Sequence, residues 1–143
     1  MPRTKFDLPA HFSFTTDVPV RITDINYGGH VGNDSMLSLI HEARVRFLSH
    51  FGYEELNLAG VGLIMTDVTI EFRNELFYGD SLRASICASD FSRVTFDLHY
   101  KLEKKSGEKW IPVAFARTGM ACFDYAAKKL TAVPKEVCTR LLT

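Results

Sequence analysis

A chain of 143 residues, 46 % hydrophobic and 24 % charged, has the size and composition of one domain around one core. Lys+Arg and Asp+Glu both number 17, so no net charge draws the protein onto nucleic acid or an anionic membrane. No apolar run approaches the roughly 20 residues of a membrane span, and the N-terminus lacks a signal-peptide core. Cys87, Cys122 and Cys138 are odd in number and widely spaced, which argues against a disulfide framework or zinc site. A reducing, cytoplasmic setting is expected, with the cysteines as small core residues.

Residues 1–12 read as an extended arm, because Pro2 and Pro9 disfavour helix; with it, residues 1–143 form a single domain. Residues 13–23 alternate loosely, with Phe14, Val18, Val20 and Ile22 on one parity, and predict a strand. A helix is predicted from Asp34 to His50. Met36, Leu37, Ile40, Ala43, Phe47, Leu48 and Phe51 recur at three- and four-residue spacing and make one apolar stripe. Asn33 is the expected N-cap, Asp34 suits the positive end of the dipole, and Gly52 ends the helix. Glu42 and Arg46 form an ion pair in the favourable order on the outer face.

After a loop over 53–62 the period switches to two. Ile64, Thr66, Val68, Ile70 and Phe72 share one expected face, as do Leu82, Ala84, Ile86 and Ala88, and Val94, Phe96, Leu98, Tyr100 and Leu102. Turns at Tyr78-Gly79-Asp80 and Ser106-Gly107 separate these strands. The run from Trp110 to Tyr125 is less strictly alternating, as suits a strand covered on both faces or touching another subunit. His99 is expected on a polar strand face, and a short helix begins at Pro134. One strand, one long helix and then four antiparallel strands is an α+β order. The alternating strands offer the only large apolar surface to the helix stripe, so the sheet has to wrap the helix.

The chemistry concentrates between Val20 and Asn33. An extended segment turns through Gly28 and Gly29 and delivers Asp24, Asn26 and His30 to the start of the helix. The first turn of a helix has unpaired N–H donors and a positive dipole end, the apparatus that stabilises an oxyanion. Each residue also has a plainer reading. Asp24 caps a turn or pairs with Arg21, Asn26 forms a turn, and Glu42 is an ion-pair member.

The residues Val20-Arg21, Asp24-x-Asn26-x-x-Gly29-His30-Val31-x-Asn33, Glu42-Ala43-Arg44 and Phe47-Leu48 resemble those of acyl-CoA thioesterases in the 4-hydroxybenzoyl-CoA thioesterase superfamily. They are similar also to plant acyl-acyl-carrier-protein thioesterases. Val68-Thr69-Ile70-Glu71-Phe72, Gly79-Asp80-Ser81-Leu82 and Lys129-Leu130-x-x-Val133-Pro134 extend the likeness over roughly residues 14–137. The resemblance implies the hot-dog fold, a long central helix wrapped by a mainly antiparallel five- or six-stranded sheet. It implies hydrolysis of an acyl-CoA or acyl-carrier-protein thioester, without metal or cofactor beyond the substrate's own coenzyme A. It also implies a homodimer or homotetramer with sites between subunits.

One departure matters. The second aspartate of the superfamily pattern is Asn26 here, and an amide cannot take a proton at neutral pH. Asn26 can still orient the carbonyl or a water. His30 becomes the leading general base, since imidazole changes charge nearest neutral pH. Asp24 is second, on the side of Asn26 if the strand continues that far. Backbone amides near Val31 to Asn33 are the expected oxyanion donors, so Asn33 acts through its main chain. Tyr27, Gly29, Val31, Thr66 and Arg93 are the candidate substrate contacts, Arg93 for coenzyme A phosphates; the Thr66 hydroxyl could equally bond to backbone. Two other readings stand beside hydrolysis: a hot-dog enoyl-CoA hydratase or dehydratase, disfavoured because no proline follows Asn26, and a non-catalytic acyl-thioester-binding protein.

Overall fold

The computed structural model describes residues 8–142. The expected arm over residues 1–12 lies mostly outside the described residues, and residues 8–13 carry no regular element. Strand β1 (Phe14–Pro19) is shorter than the expected strand over 13–23. The chain leaves the sheet in a single 3-10 turn, Ile22–Asp24. The Asp24 carboxylate makes this turn by accepting the Arg21 amide at 2.8 Å, while the Asp24 amide donates to the Arg21 carbonyl at 2.9 Å. Ile22, expected on the buried parity of Val18 and Val20, is therefore exposed.

Helix α1 (Asn33–His50) matches its prediction to within one residue. Its N-cap is Gly32 rather than Asn33, and no side chain caps it. The buried stripe is Met36, Leu39, Ile40, Ala43, Phe47 and Leu48, so the inward face is rotated from the expected one. Leu37 stays partly exposed, and Arg44 goes inside. Gly52 adopts φ +82°, the left-handed conformation that ends helices at little cost only in glycine. Arg46 Nε donates to Glu42 at 2.8 Å, as the spacing demands.

The strands β2 (Gly62–Phe72), β3 (Ser81–Ser89), β4 (Thr95–Ser106), β5 (Lys109–Asp124) and β6 (Lys129–Leu130) follow, then helix α2 (Lys135–Leu141) directly after Pro134. The six-stranded sheet has the order β1-β3-β4-β5-β2 with β6 on β5, and every pairing is antiparallel. Leu82, Ala84, Ile86, Phe96, Leu98, Tyr100 and Leu102 are fully buried and pack with the α1 stripe. This is the α+β hot-dog arrangement.

The topology leaves β1 and β2 at the sheet edges. A bulge between Met65 and Asp67 reverses the parity of β2. Met65 opposes Met120 and Val68 opposes Thr118, two residues of one β5 face, so Met65 and Val68 point the same way. Ile64 is thus not on the face of Val68, Ile70 and Phe72. Among the described residues no helix is long and apolar enough to cross a membrane.

Candidate active site at the N-terminus of α1

The turn before α1 is held by its own main chain. Ile25 and Val31 form an antiparallel bridge, the Asn26 amide donates to the His30 carbonyl at 3.0 Å, and the Gly29 amide donates to Asn26 at 3.0 Å. The Asn26 side-chain oxygen accepts the Gly28 amide at 2.9 Å, a local turn bond. Gly29 sits at φ +86°, where an L side chain is strained. The Val31 amide donates to the Leu76 carbonyl at 2.8 Å, which ties this turn to the β2–β3 connection.

A cavity of about 560 Å³ lies between those two segments, lined by His30, Asn33, Met36, Phe72, Glu75 and Phe77 among others. The amides of Asn33, Asp34 and Ser35 open the helix and have no acceptor within it, and no side chain caps them. Asn33 itself lines the cavity. One expectation is corrected: the Val31 amide is already bonded, so among the expected donors only Gly32 and Asn33 remain available. The carboxamide nitrogen of Asn26 lies beside Gly32, 3.4 Å from where a Cβ would stand there, and has no partner among the described residues.

His30 is poised by its backbone. Its Nδ1 lies 3.2 Å from the Val31 carbonyl, which can only accept. Nδ1 therefore carries the proton in the neutral ring, and Nε2 keeps its lone pair. That Nε2 stands 4.0 Å from Glu75 Oε1.

The other expected residues are placed elsewhere. Asp24 is buried and turned onto Arg21, and the intervening 3-10 turn breaks the strand geometry that would have aligned it with Asn26. Tyr27 is fully exposed. Thr66 belongs to the β2 bulge, its hydroxyl donating to the Gly119 carbonyl at 3.1 Å; it does not line the cavity. Arg93 precedes the start of β4, whereas Lys104, near the end of that strand, lines the cavity. Within one chain, Arg93 thus lies at the opposite end of the sheet. Sequence reasoning missed Glu75, Phe72 and Phe77, because long-range contacts, the Val31–Leu76 bond among them, bring the β2–β3 connection against the turn.

A second polar group is buried along α1. Arg44 Nε donates to Glu55 at 2.8 Å, its Nη1 lies 3.4 Å from the Tyr100 hydroxyl, and that hydroxyl is 2.8 Å from Thr118 Oγ1. Burial pulls the Arg44 guanidinium down, but Tyr100 and Glu55 more than offset it and hold it above its ordinary value. Burial pushes the Tyr100 phenol up. A smaller pocket of about 210 Å³ opens over this group, between Leu37, His41, Arg44 and the edge residue Met65.

On the outer face of the sheet, Asp90, Asp97 and His99 bring three possible metal-ligating atoms together. Arg117 already donates to Asp97 at 3.0 Å, and Ser89 Oγ lies 2.9 Å from His99 Nε2. His99 lies on the polar strand face as expected, but it is buried there; burial lowers its pKa, against the raising effect of Asp97 and Asp90.

Comparison with known proteins shows the family. A family model described as the thioesterase-like superfamily matches residues 20–141. A 1,4-dihydroxy-2-naphthoyl-CoA hydrolase of Microcystis aeruginosa is 28 % identical over 121 residues, covering 82 % of this chain and 85 % of the relative. Among solved structures, a 1,4-dihydroxy-2-naphthoyl-CoA thioesterase from Synechocystis superposes with a TM-score of 0.78 at 22 % identity, covering 90 % of this chain and 94 % of the other. A mutant 4-hydroxybenzoyl-CoA thioesterase in complex with 4-hydroxybenzoyl-CoA superposes with a TM-score of 0.80 at 17 % identity, covering 90 % and 97 %. With the family model spanning nearly the whole described fold and an uncapped helix opening onto a cavity, the chain belongs to the thioesterase-like superfamily and is a hot-dog-fold thioester hydrolase.

Proposed function

We propose that this enzyme hydrolyses an acyl-CoA thioester whose carbonyl is received by the first turn of α1. The observation that carries the reading is the cavity lined by both His30 and Asn33, the first residue of a helix that no side chain caps, with Nδ1 of the imidazole bonded to the Val31 carbonyl and Nε2 left free. Water attacks the carbonyl carbon while His30 Nε2 takes its proton. The Gly32 and Asn33 amides hold the oxyanion, and the Asn26 carboxamide beside Gly32 orients the carbonyl or the water. Collapse breaks the C–S bond, and the imidazolium returns its proton to the leaving thiolate. Thioesters are reactive acyl donors, so an imidazole base with positioned amides suffices without a carboxylate at position 26.

The acyl group extends from this cavity along α1 toward the pocket at Leu37, His41 and Arg44. Aryl groups are favoured candidates because one relative is a 1,4-dihydroxy-2-naphthoyl-CoA hydrolase. A second copy of the chain closes the open side. The edge strand β2 exposes Met65, Val68 and Phe72, and α1 exposes Leu37 and Val45, an apolar surface on an unpaired edge. The protein works in the cytoplasm as a homodimer or a larger assembly of such dimers.

The test compares wild type, His30→Ala and Asn26→Asp on a panel of aryl- and alkyl-CoAs and one acyl-carrier-protein thioester. Hydrolysis by wild type and a loss of at least about a hundredfold in His30→Ala are expected. Full activity in His30→Ala would remove the assigned base. Light scattering on the purified protein reads the assembly, and a monomer would contradict the shared-edge arrangement.

A further inference from the structure

We propose that Glu75 is a positioning residue for the His30 base, its carboxylate stabilising the imidazolium that forms when His30 takes the proton from water. This inference rests on the hydrolytic reading above.

Glu75 lies in the connection between β2 and β3, and its main chain is held at Glu75 itself and at the residue that follows. The Leu76 carbonyl accepts the Val31 amide at 2.8 Å, and the Glu75 carbonyl accepts Lys104 Nζ at 2.6 Å. Leu76 is fully buried and anchors the segment. The Glu75 side chain is thus carried to the cavity by a built piece of backbone, with Oε1 4.0 Å from His30 Nε2.

The charge of Glu75 is also unspent. The two cations lining the cavity are engaged elsewhere: Arg73 pairs with Glu71 at 2.8 Å, and Lys104 lies 3.6 Å from Asp80 and over the Phe77 ring. Among the described residues the Glu75 carboxylate has no partner other than His30. The Val31 carbonyl fixes Nδ1 as the protonated nitrogen, so the proton taken from water arrives on Nε2, the nitrogen that faces Glu75. An imidazolium formed in the transition state then gains an attraction that the neutral ring lacks, and only such a differential interaction accelerates the chemical step. At about 4 Å between partly solvated groups, the attraction corresponds to about a tenfold rate effect.

A double-mutant cycle on kcat and KM with benzoyl-CoA and hexanoyl-CoA tests this, using Glu75→Gln, Glu75→Asp, His30→Gln and the double variant. Glu75→Gln should lower kcat about tenfold with KM unchanged, Glu75→Asp should restore part of the loss, and the Gln substitution should cost nothing further in the His30→Gln background. If Glu75→Gln slows the His30→Gln enzyme as much as it slows wild type, Glu75 acts independently of His30 and the inference fails. A loss of a hundredfold or more from Glu75→Gln alone makes Glu75 the base itself and overturns it too. Full rate in Glu75→Gln with a slow His30→Gln sinks this inference and leaves the hydrolytic reading standing. Full rate in His30→Gln defeats this inference and the assignment of His30 as base, whereas no hydrolysis by wild type would defeat the hydrolytic reading itself.

Discussion

Replacing Asn33 by proline isolates one backbone donor. Asn33 is the first residue of α1, its amide has no acceptor in the helix, and it lines the cavity. Proline is favoured at a first helical position, since the N–H it lacks has no helical partner there. The residue before it must be extended, and Gly32 already is, at φ −76° and ψ 167°. Asn33→Pro should therefore fold with an unchanged melting temperature while removing one oxyanion donor. Such a loss costs about 2.7–4 kcal/mol of transition-state stabilisation, roughly a hundred- to thousandfold in kcat. Asn33→Ala is the matched control: it removes the side chain, for which no hydrogen bond is found among the described residues, and keeps the amide. Release of the coenzyme A thiol, followed with a thiol-reactive dye, reads kcat and KM for both. KM should move little, because the contact forms fully only on the oxyanion. A folded Asn33→Pro enzyme within about threefold of Asn33→Ala would refute the assignment of the helix amide.

Three further outcomes follow from other parts of the molecule. Arg44→Ala should destabilise the fold by about 3 kcal/mol in urea unfolding, because Glu55 and Tyr100 lose a buried partner; an unchanged midpoint would show that the Arg44 group contributes nothing. Burial pushes the Cys87 and Cys122 thiols up to about 11, so at pH 8 a thiol reagent should label Cys138 well before either, and rapid labelling of Cys122 in the native protein would contradict its burial. His99 is held below its ordinary value by burial, so the unfolded chain binds its proton first as pH falls. Its contribution is present above the unfolded value and is lost as pH drops toward the folded one. Wild type should therefore lose more stability between about pH 7 and 5 than His99→Gln, and equal pH slopes would rule this out.

Much of the fold follows from local pattern. The three- and four-residue spacing from Met36 to Leu48 can bury only as a helix, and the alternation of Leu82 to Ala88 and Phe96 to Leu102 only as strands. Gly52 and Pro134 punctuate where backbone geometry requires. The departures arise where a non-local pairing overrules the local period. The bulge at Thr66 folds over Gly119, the only side-chain-free position on that stretch of β5; a Cβ there would come within 2.0 Å of Asp67 Oδ1. That insertion moves Ile64 off the face assigned to it. Arg44 reads as a polar helix residue until Glu55, Tyr100 and Thr118, from three other segments, gather around it.

The site divides in the same way. Glycines, a histidine and a helix start within one short stretch already specify a corner with unpaired amides, since helix termini leave them wherever they occur. Which amides stay unpaired is not local. Val31 loses its donor to Leu76, and Asp24 is consumed by Arg21 in a turn that the alternation of Val18, Val20 and Ile22 conceals. Glu75 is distant in sequence and shares no period with His30; long-range contacts, the Val31–Leu76 bond among them, bring its connection into the cavity. Sequence by itself determined the helix, the strands and the glycine-rich turn that carries polar residues to their junction, because those depend on near neighbours. Only the tertiary structure decided which donors remain and which carboxylate faces the imidazole, because hydrogen bonds and charges between distant segments exist only once the sheet has closed around the helix.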